Sequence, residues 1–277
     1  MARWCIKTRD DFLQLLLNAH KGAPINNKKD CVENGDHKSA NNGQDIQQNG
    51  STDAHQKTLT FDELVSQCFS FYLAAHANSA SLLTFIIYLL AINENIQENV
   101  YQEIREHLQE TNGEITYEAL QKMKYLDNVI SETLRLYPPV VRATRRSDKD
   151  YKLGETGITL QKNTIFQLPI LGIHRDPKYY PNPEKFDPDR FSAEEIAKRD
   201  PNVYFPFGLG PRNCIGMTFA RLTSKVCLVY VLSCFNIKTC SQTKVPLEFD
   251  PWSYFTYQAK DVTVKLEIRN DCPLVYN

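Results

Sequence analysis

Between Gly50 and Gly113 the chain contains neither glycine nor proline, and this stretch limits what the sequence can fold into. Those two residues are the main interrupters of regular structure. Thr60-Phe61-Asp62-Glu63 has the capping-box spacing, in which Thr60 and Glu63 satisfy each other's exposed N–H donors. The spacing predicts a helix from Phe61 through Ile92, about 48 Å long at 1.5 Å per residue, enough to cross a whole domain. Asn93 or Asn95 is placed to cap a second helix through Leu108. Thr116–Met123 forms a third, and Leu126–Tyr137 a fourth that Pro138 and Pro139 stop.

Outside this block the patterns are shorter. Asp10–Ala19 reads as an amphipathic helix with Phe12, Leu15, Leu16 and Ala19 on one face, ended by Gly22 and Pro24. Residues 23–57 are dominated by Asn, Gln, Asp, Lys, Gly and Ser; such a segment buries too little apolar surface to offset its ordering entropy and reads as a flexible polar loop. Residues 158–170 hold β-prone runs broken by turn signals, and 174–207 are Pro-, Asp- and Tyr-rich coil. Met217–Phe235 reads as an apolar helix, and Val262–Ile268 alternates like a strand. The expected class is mainly α with small β-sheets, in three regions: a short helix at 1–22, the loop at 23–57, and the folded body at 58–277.

With 277 residues and 42% apolar content, the chain can bury a substantial core. A formal charge of −1 gives no global basic field, which argues against nucleic acid as the main partner. The eight cysteines form no C-x-x-C pair and no regular spacing, so neither a zinc site nor a disulfide framework is indicated. A reducing compartment fits better. Met1-Ala2-Arg3-Trp4-Cys5-Ile6-Lys7 has no secretory pattern. The longest apolar run, Leu82–Ile92, is about eleven residues, short of the roughly 20 that a membrane span needs, so no span is expected.

Chemistry concentrates in Phe207-Gly208-Leu209-Gly210-Pro211-Arg212-Asn213-Cys214-Ile215-Gly216. A sulfur that ligates a metal must be deprotonated, and positive charge with nearby N–H donors favours that state. Gly210 and Gly216 allow tight bending and close approach to a flat group, and Arg212 can form charge-assisted bonds to an anionic edge. The simpler reading of a lone cysteine is a small buried hydrophobe. Two further segments bear on the choice. Glu132 and Arg135 lie one helical turn apart in Ser131-Glu132-Thr133-Leu134-Arg135-Leu136-Tyr137-Pro138-Pro139, a spacing that by itself is usually a weak surface ion pair. Phe186-Asp187-Pro188-Asp189-Arg190-Phe191 is the third piece.

Together, F-x-x-G-x-R-x-C-x-G, E-x-x-R followed by Tyr-Pro-Pro, and F-D-P-D-R-F resemble the cytochrome P450 family. Gly172–Pro181 and Lys244–Leu247 are similar to insect microsomal members of families six and nine. The resemblance covers the C-terminal part of that fold; its first half, with the N-terminal anchor, has no counterpart here. It implies a haem whose iron is ligated by Cys214, with Arg212 and Arg145 on the propionates, Phe207 beside the sulfur, and Gly210 and Gly216 shaping the loop. Arg145 also has the plainer reading of a surface charge in the Arg142-Arg145-Arg146 cluster. Glu132, Arg135 and Arg190 would form a structural network bracing the loop. Phe71, Ala74, Ala75, Val140, Val141 and the Trp252–Phe255 stretch match substrate-contacting regions, with core packing as the alternative.

The implied reaction inserts one atom of O₂ into a lipophilic small molecule, with electrons from NADPH through a separate reductase, at the cytoplasmic face of the endoplasmic reticulum membrane. Without the anchor, a cytosolic location is the alternative. The family's proton relay uses an acid and a threonine. Aligning Phe71–Ser79 on that segment puts Ala75 at the usual glycine, Ala77 at the acid and Asn78 at the threonine. Three readings stay open: His76 and Ser79 carry protons through water, Asn78 positions a pre-oxidised substrate for hydroperoxide rearrangement, or the chain does not turn over and serves as an inactive or interaction fragment. Exposed apolar patches are expected on the long helix and the last apolar helix.

Overall fold

A computed structural model describes residues 11–21, 58–253 and 256–274; the 23–57 loop reading lies outside the described residues, as do Tyr254 and Phe255. The chain divides into two compact units, residues 1–74 and 75–277, with the boundary inside one long helix. In the first unit, α1 (Phe12–His20) starts at Asp11, whose carboxylate accepts the Gln14 N–H at 2.9 Å. Its expected single apolar face is not fully buried: Leu16 is covered while Phe12 and Leu15 stay exposed. Phe12 instead sets its ring against that of Phe71, 3.9 Å between centroids and tilted by 33°. The long helix α2 (Phe61–Ile92) opens with the reciprocal cap, Thr60 N–H donating to Glu63 at 2.8 Å and Glu63 N–H donating to Thr60 at 3.2 Å. Phe61, Phe69, Phe71, Tyr72 and Leu73 on its first half are exposed.

In the second unit the elements follow as α3 (Glu94–Glu110), α4 (Tyr117–Lys122), α5 (Lys124–Leu136), β1 (Ala143–Arg146), β2 (Tyr151–Lys152), β3 (Thr159–Leu160), β4 (Ile165–Leu168), α6 (Ile170–His174), α7 (Ala193–Lys198), α8 (Met217–Cys234), β5 (Phe235–Lys238) and β6 (Lys265–Ile268). Three two-stranded antiparallel sheets pair β1 with β4, β2 with β3 and β5 with β6. The class is thus mainly α with small sheets. The core joins Leu82, Phe85, Ile86 and Leu90 of α2, Val100, Ile104 and Leu108 of α3, Leu126, Val129 and Ile130 of α5, and Leu228, Val229 and Leu232 of α8. The four-residue steps in α3 put its apolar side chains on one stripe, and each fully buried side chain of this kind contributes about 1.5–3 kcal/mol.

Helix boundaries are set both locally and from afar. Asn93 stands at the start of α3 without a side-chain cap, because its amide donates back to the Leu89 carbonyl at 2.8 Å. The first turn of α5 is capped from α3: Glu103 accepts the N–H groups of Tyr125 at 2.7 Å and Leu126 at 2.8 Å. Segment 174–207 contains more regular structure than its composition suggests, with α7 capped by Ser192 and 3₁₀ turns at Pro188–Phe191 and Pro201–Val203. The predicted 217–235 helix ends at Cys234 because Phe235 starts a strand, and the predicted 262–268 strand pairs only over Lys265–Ile268. Buried Gln97 ties three elements, donating to Leu90 at 3.0 Å and Ile237 at 2.8 Å and accepting the Ile237 N–H at 2.7 Å.

By length and composition, α2 and α8 each pass as a membrane-crossing helix, which amends the expectation of no spanning segment. Both nonetheless put residues into the protein core, and α8 buries a charge there. Lys225 donates to the Leu120 carbonyl at 2.6 Å and to Asp127 at 2.7 Å, while burial pulls its pKa down against the lift from Asp127. Asp127 is part-exposed and keeps Arg221 at 3.8 Å, so removing Lys225 mainly costs its two hydrogen bonds. Lys225→Ala is therefore expected to cost about 2 kcal/mol, read as a lower urea midpoint at unchanged slope.

Candidate cofactor-binding site

The last turns of α5 hold a charged centre that is fully enclosed. Arg135 forms a two-pronged pair with Glu132, Nε to Oε2 at 2.7 Å and a terminal nitrogen to Oε1 at 2.8 Å, with both side chains completely buried. The spacing i,i+3 puts them on one face of the helix, and the planar fork of arginine matches a carboxylate. The remaining donors of Arg135 reach the carbonyls of His174 at 2.9 Å and Lys185 at 3.2 Å. Glu132 also accepts the Asp187 N–H at 2.9 Å and lies 3.5 Å from Arg190 Nε. Arg190 in turn donates to the carbonyls of Pro181 at 2.6 Å and Asn182 at 3.1 Å. Glu132, Arg135 and Arg190 therefore meet in space. Burial pushes the Glu132 carboxyl up, opposed by Arg135, the Asp187 N–H and Arg190.

His174, at the end of α6, is a residue the sequence reading passes over. It is wholly buried, and its Nε2 accepts the Phe205 N–H at 3.0 Å. A nitrogen that accepts carries no proton, so the neutral ring holds its hydrogen on Nδ1. Burial, with the Arg135 charge adding to it, drops its pKa to about 3. Tyr204 stacks on the imidazole with 5.3 Å between centroids and donates to the Ser131 carbonyl at 3.0 Å. Arg199 covers the rings of Tyr180 and Phe191 at 4.9 and 4.7 Å. Through Phe205 and Tyr204, the segment that enters the cysteine loop is fixed to α5 and α6. The nearest sequence signal for His174 was its place in His174-Arg175-Asp176-Pro177, which says nothing of burial.

Beyond Phe205 the chain turns twice. Gly208 and Gly210 have φ of +78° and +74°, a region costly for residues with a Cβ. Gly216 has an ordinary φ of −89° and precedes α8, so the bending expected of Gly216 falls to Gly208. Cys214 N–H donates to the Phe207 carbonyl at 2.8 Å and Asn213 N–H to Gly210 at 3.0 Å. Phe207 is half-buried against the core. The Cys214 thiol is exposed, three residues before α8 begins at Met217. Around it Leu209, Ile215, Met217 and Phe219 are exposed, Ile215 to 88%.

The other candidates are dispersed. Arg212 is exposed and Arg145, on β1 opposite Phe166, is half-buried with a bond to its neighbour's carbonyl, Thr144, at 3.0 Å. Among the described residues, no ion pair engages Arg142, Arg145, Arg146 or Arg212, and no hydrogen bond joins Arg145, Val140 or Val141 to the cysteine loop. Val140 is exposed and Val141 half-buried, and the segment is held by the Tyr257 N–H on Pro139 at 2.7 Å and the Leu171 N–H on Val141 at 3.1 Å. On α2, Ala75 and His76 are exposed and Asn78 is half-buried. Phe71 and Ala74 lie exposed in the first unit. An exposed sulfur, a glycine-bent backbone, exposed apolar side chains on either side of it in the chain and, among the described residues, cations without carboxylate partners suit a flat, apolar ligand with an anionic edge. The residues present fit a haem.

A helical body with small sheets, a buried Glu-Arg-Arg centre and a cysteine presented on a bent loop defines a haem-thiolate class of fold. The Cytochrome P450 family profile matches residues 2–266, and the chain belongs to that family. It is 42% identical over 241 residues to Cytochrome P450 9e2 of Blattella germanica, covering 87% of this chain and 42% of the relative. It is 42% identical over 193 residues to Cytochrome P450 6B7 of Helicoverpa armigera, covering 70% and 38%. With Probable cytochrome P450 6a13 of Drosophila melanogaster it shares 40% over 209 residues, covering 76% and 42%. The chain thus spans about two fifths of the length of the relatives it matches, whose numbering agrees with the likeness to families six and nine.

Because His174 stays neutral in the folded chain while an unfolded histidine takes a proton below about pH 6.5, the unfolded state binds more protons as pH falls and stability drops with it. The loss runs from pH 6.5 down towards 3, and between pH 6.5 and 5 it amounts to roughly 1.5 kcal/mol. Urea titrations at successive pH values should show that slope, and His174→Gln should flatten it. An unchanged slope in the variant would refute the assignment.

Proposed function

We propose that the chain carries the haem-thiolate site of a monooxygenase acting on lipophilic small molecules, with Cys214 as the residue whose sulfur would hold the iron. The observation that carries this reading is the exposed Cys214 sulfur, held on a glycine-bent loop with exposed Leu209, Arg212, Ile215 and Phe219 beside it in the chain. Bound there, iron protoporphyrin would supply oxygen activation, which electron donation from a thiolate ligand favours.

The chain's own residues then have separate tasks. Cys214 would offer its sulfur to the iron from the exposed loop. Arg212 and Arg145 hold the propionates by charge-assisted bonds. Gly210 leaves the backbone open to close approach, since a Cβ there would meet nothing within 4 Å, and Gly216 keeps volume away from the sulfur, where a Cβ would lie 3.8 Å off. Phe207 limits water beside the ligand. Glu132, Arg135 and Arg190 fix the scaffold from which the loop is hung. Ala75, Val140 and Val141 present an apolar wall to the substrate, and Asn78 and His76 orient it or hold a proton in place of the acid-threonine pair. Electrons come from NADPH through a reductase, at the cytoplasmic face of the endoplasmic reticulum membrane.

Supplied with haem, the folded chain should give the thiolate-type Soret shift in its reduced carbon monoxide complex. Cys214→Ala should abolish that shift while changing the unfolding free energy of the haem-free chain by less than about 0.5 kcal/mol, because the side chain is on the surface. A folded wild-type chain with haem but no shift overturns the reading. Product formation that requires NADPH and reductase supports monooxygenation, whereas reductase-independent conversion of a hydroperoxide would replace it with rearrangement.

A further inference from the structure

At the far end of α8 from the cysteine loop, two sulfurs face each other. Cys234 closes the helix and Cys272 follows β6, and their Sγ atoms lie 3.2 Å apart in hydrogen-bond contact. Among the described residues no other two cysteine sulfurs are in such contact. We propose that Cys234 and Cys272 form a reversible redox pair, oxidised to a disulfide that clips the segment after β6 to the end of α8.

Both cysteines are held from both sides. Cys234 leads into β5, whose Phe235 pairs with Ile268, and its carbonyl accepts the Arg269 N–H at 2.8 Å. Asp271, the residue before Cys272, has its carbonyl bonded by the Tyr101 hydroxyl at 3.1 Å and its carboxylate 3.9 Å from Arg105. Arg269 covers the Tyr101 ring at 3.6 Å. The backbone therefore presents the sulfurs to each other before any bond forms, and both residues are partly exposed. Among the described residues, the other cysteines have no second sulfur in contact. Burial pushes the Cys227 thiol up. Cys240 is the most reactive competitor, its pKa lowered by the Thr243 hydroxyl and the Gln242 and Thr243 N–H groups, but no second sulfur stands beside it among the described residues.

The oxidant is a low-molecular-weight disulfide. One cysteine thiolate attacks a sulfur of that molecule, breaking its S–S bond and expelling one thiol as a mixed disulfide forms. The second cysteine thiolate attacks the protein-bound sulfur and expels the other thiol. The two protein thiols lose two electrons and two protons, and the small disulfide gains them as two thiols. The closed loop runs from residue 234 to residue 272, so the disulfide constrains the unfolded chain as well as the native one.

The test uses the full chain, folded, incubated with glutathione disulfide, with remaining thiols blocked by N-ethylmaleimide before tryptic mapping. The expected result is one cross-linked peptide pair, Cys234 to Cys272, reversed by dithiothreitol, together with a melting temperature roughly 5 °C or more above that of the reduced chain. Cys272→Ser should remove both the cross-link and the shift. Cross-links scattered over several cysteines, glutathione retained on Cys234 or Cys272 without a bridge, or a bridge formed only in denaturant would each overturn the proposal. The readout involves neither haem nor Cys214, so its failure leaves the proposed function standing, and the reverse holds too.

Discussion

The Glu132 to Arg135 pair is the interaction on which the rest of the second unit depends. Both ions are completely removed from water, a state whose desolvation cost is recovered only when every donor and lone pair is used. Here they are used by elements far apart in sequence: the Arg135 fork reaches carbonyls of residues 174 and 185, and Glu132 accepts from residue 187 and faces Arg190. The stretch after α6 is built from short turns and single helical turns that bond only locally. Its path is set by the need to complete this charge centre.

From that centre, order is passed to the cysteine loop by neutral contacts. His174 gives its carbonyl to Arg135 and its Nε2 to the Phe205 N–H, so one residue joins the ion pair to the loop's entry. A protonated imidazole could not accept at Nε2, and the adjacent guanidinium makes a positive ring still less favourable. The site's rigidity and its sensitivity to acid therefore have a common origin, and both lie outside the cysteine motif.

Much of this was legible from residues alone. Thr60 with Glu63 marks the start of α2 because both partners of the cap lie within four residues, and the positions of Glu132 and Arg135 on one helical face follow from spacing. The parts that sequence did not carry are those whose partners are distant. Glu103 caps α5, Lys225 crosses to Leu120 and Asp127, and Gln97 bridges to Ile237; each reads locally as an ordinary surface polar residue. His174 is the clearest case, since nothing around it signals that it is sealed from water. The loop's glycines show a finer limit: the pattern marks Gly210 and Gly216, yet the left-handed turns fall at Gly208 and Gly210, because Gly216 already stands at the threshold of α8.

Helix α8 connects these observations. It begins beside the exposed sulfur of Cys214 and ends at Cys234, and in between it is pinned by Lys225 to α4 and α5 and by Arg221 to Ser131 at 2.7 Å. Ser131 is also the residue whose carbonyl takes the Tyr204 hydroxyl, next to Glu132. The start of the helix and the entry to the loop are thus referred to the same turn of α5. A displacement of α8 along its axis would have to break buried charge contacts before it moved the sulfur.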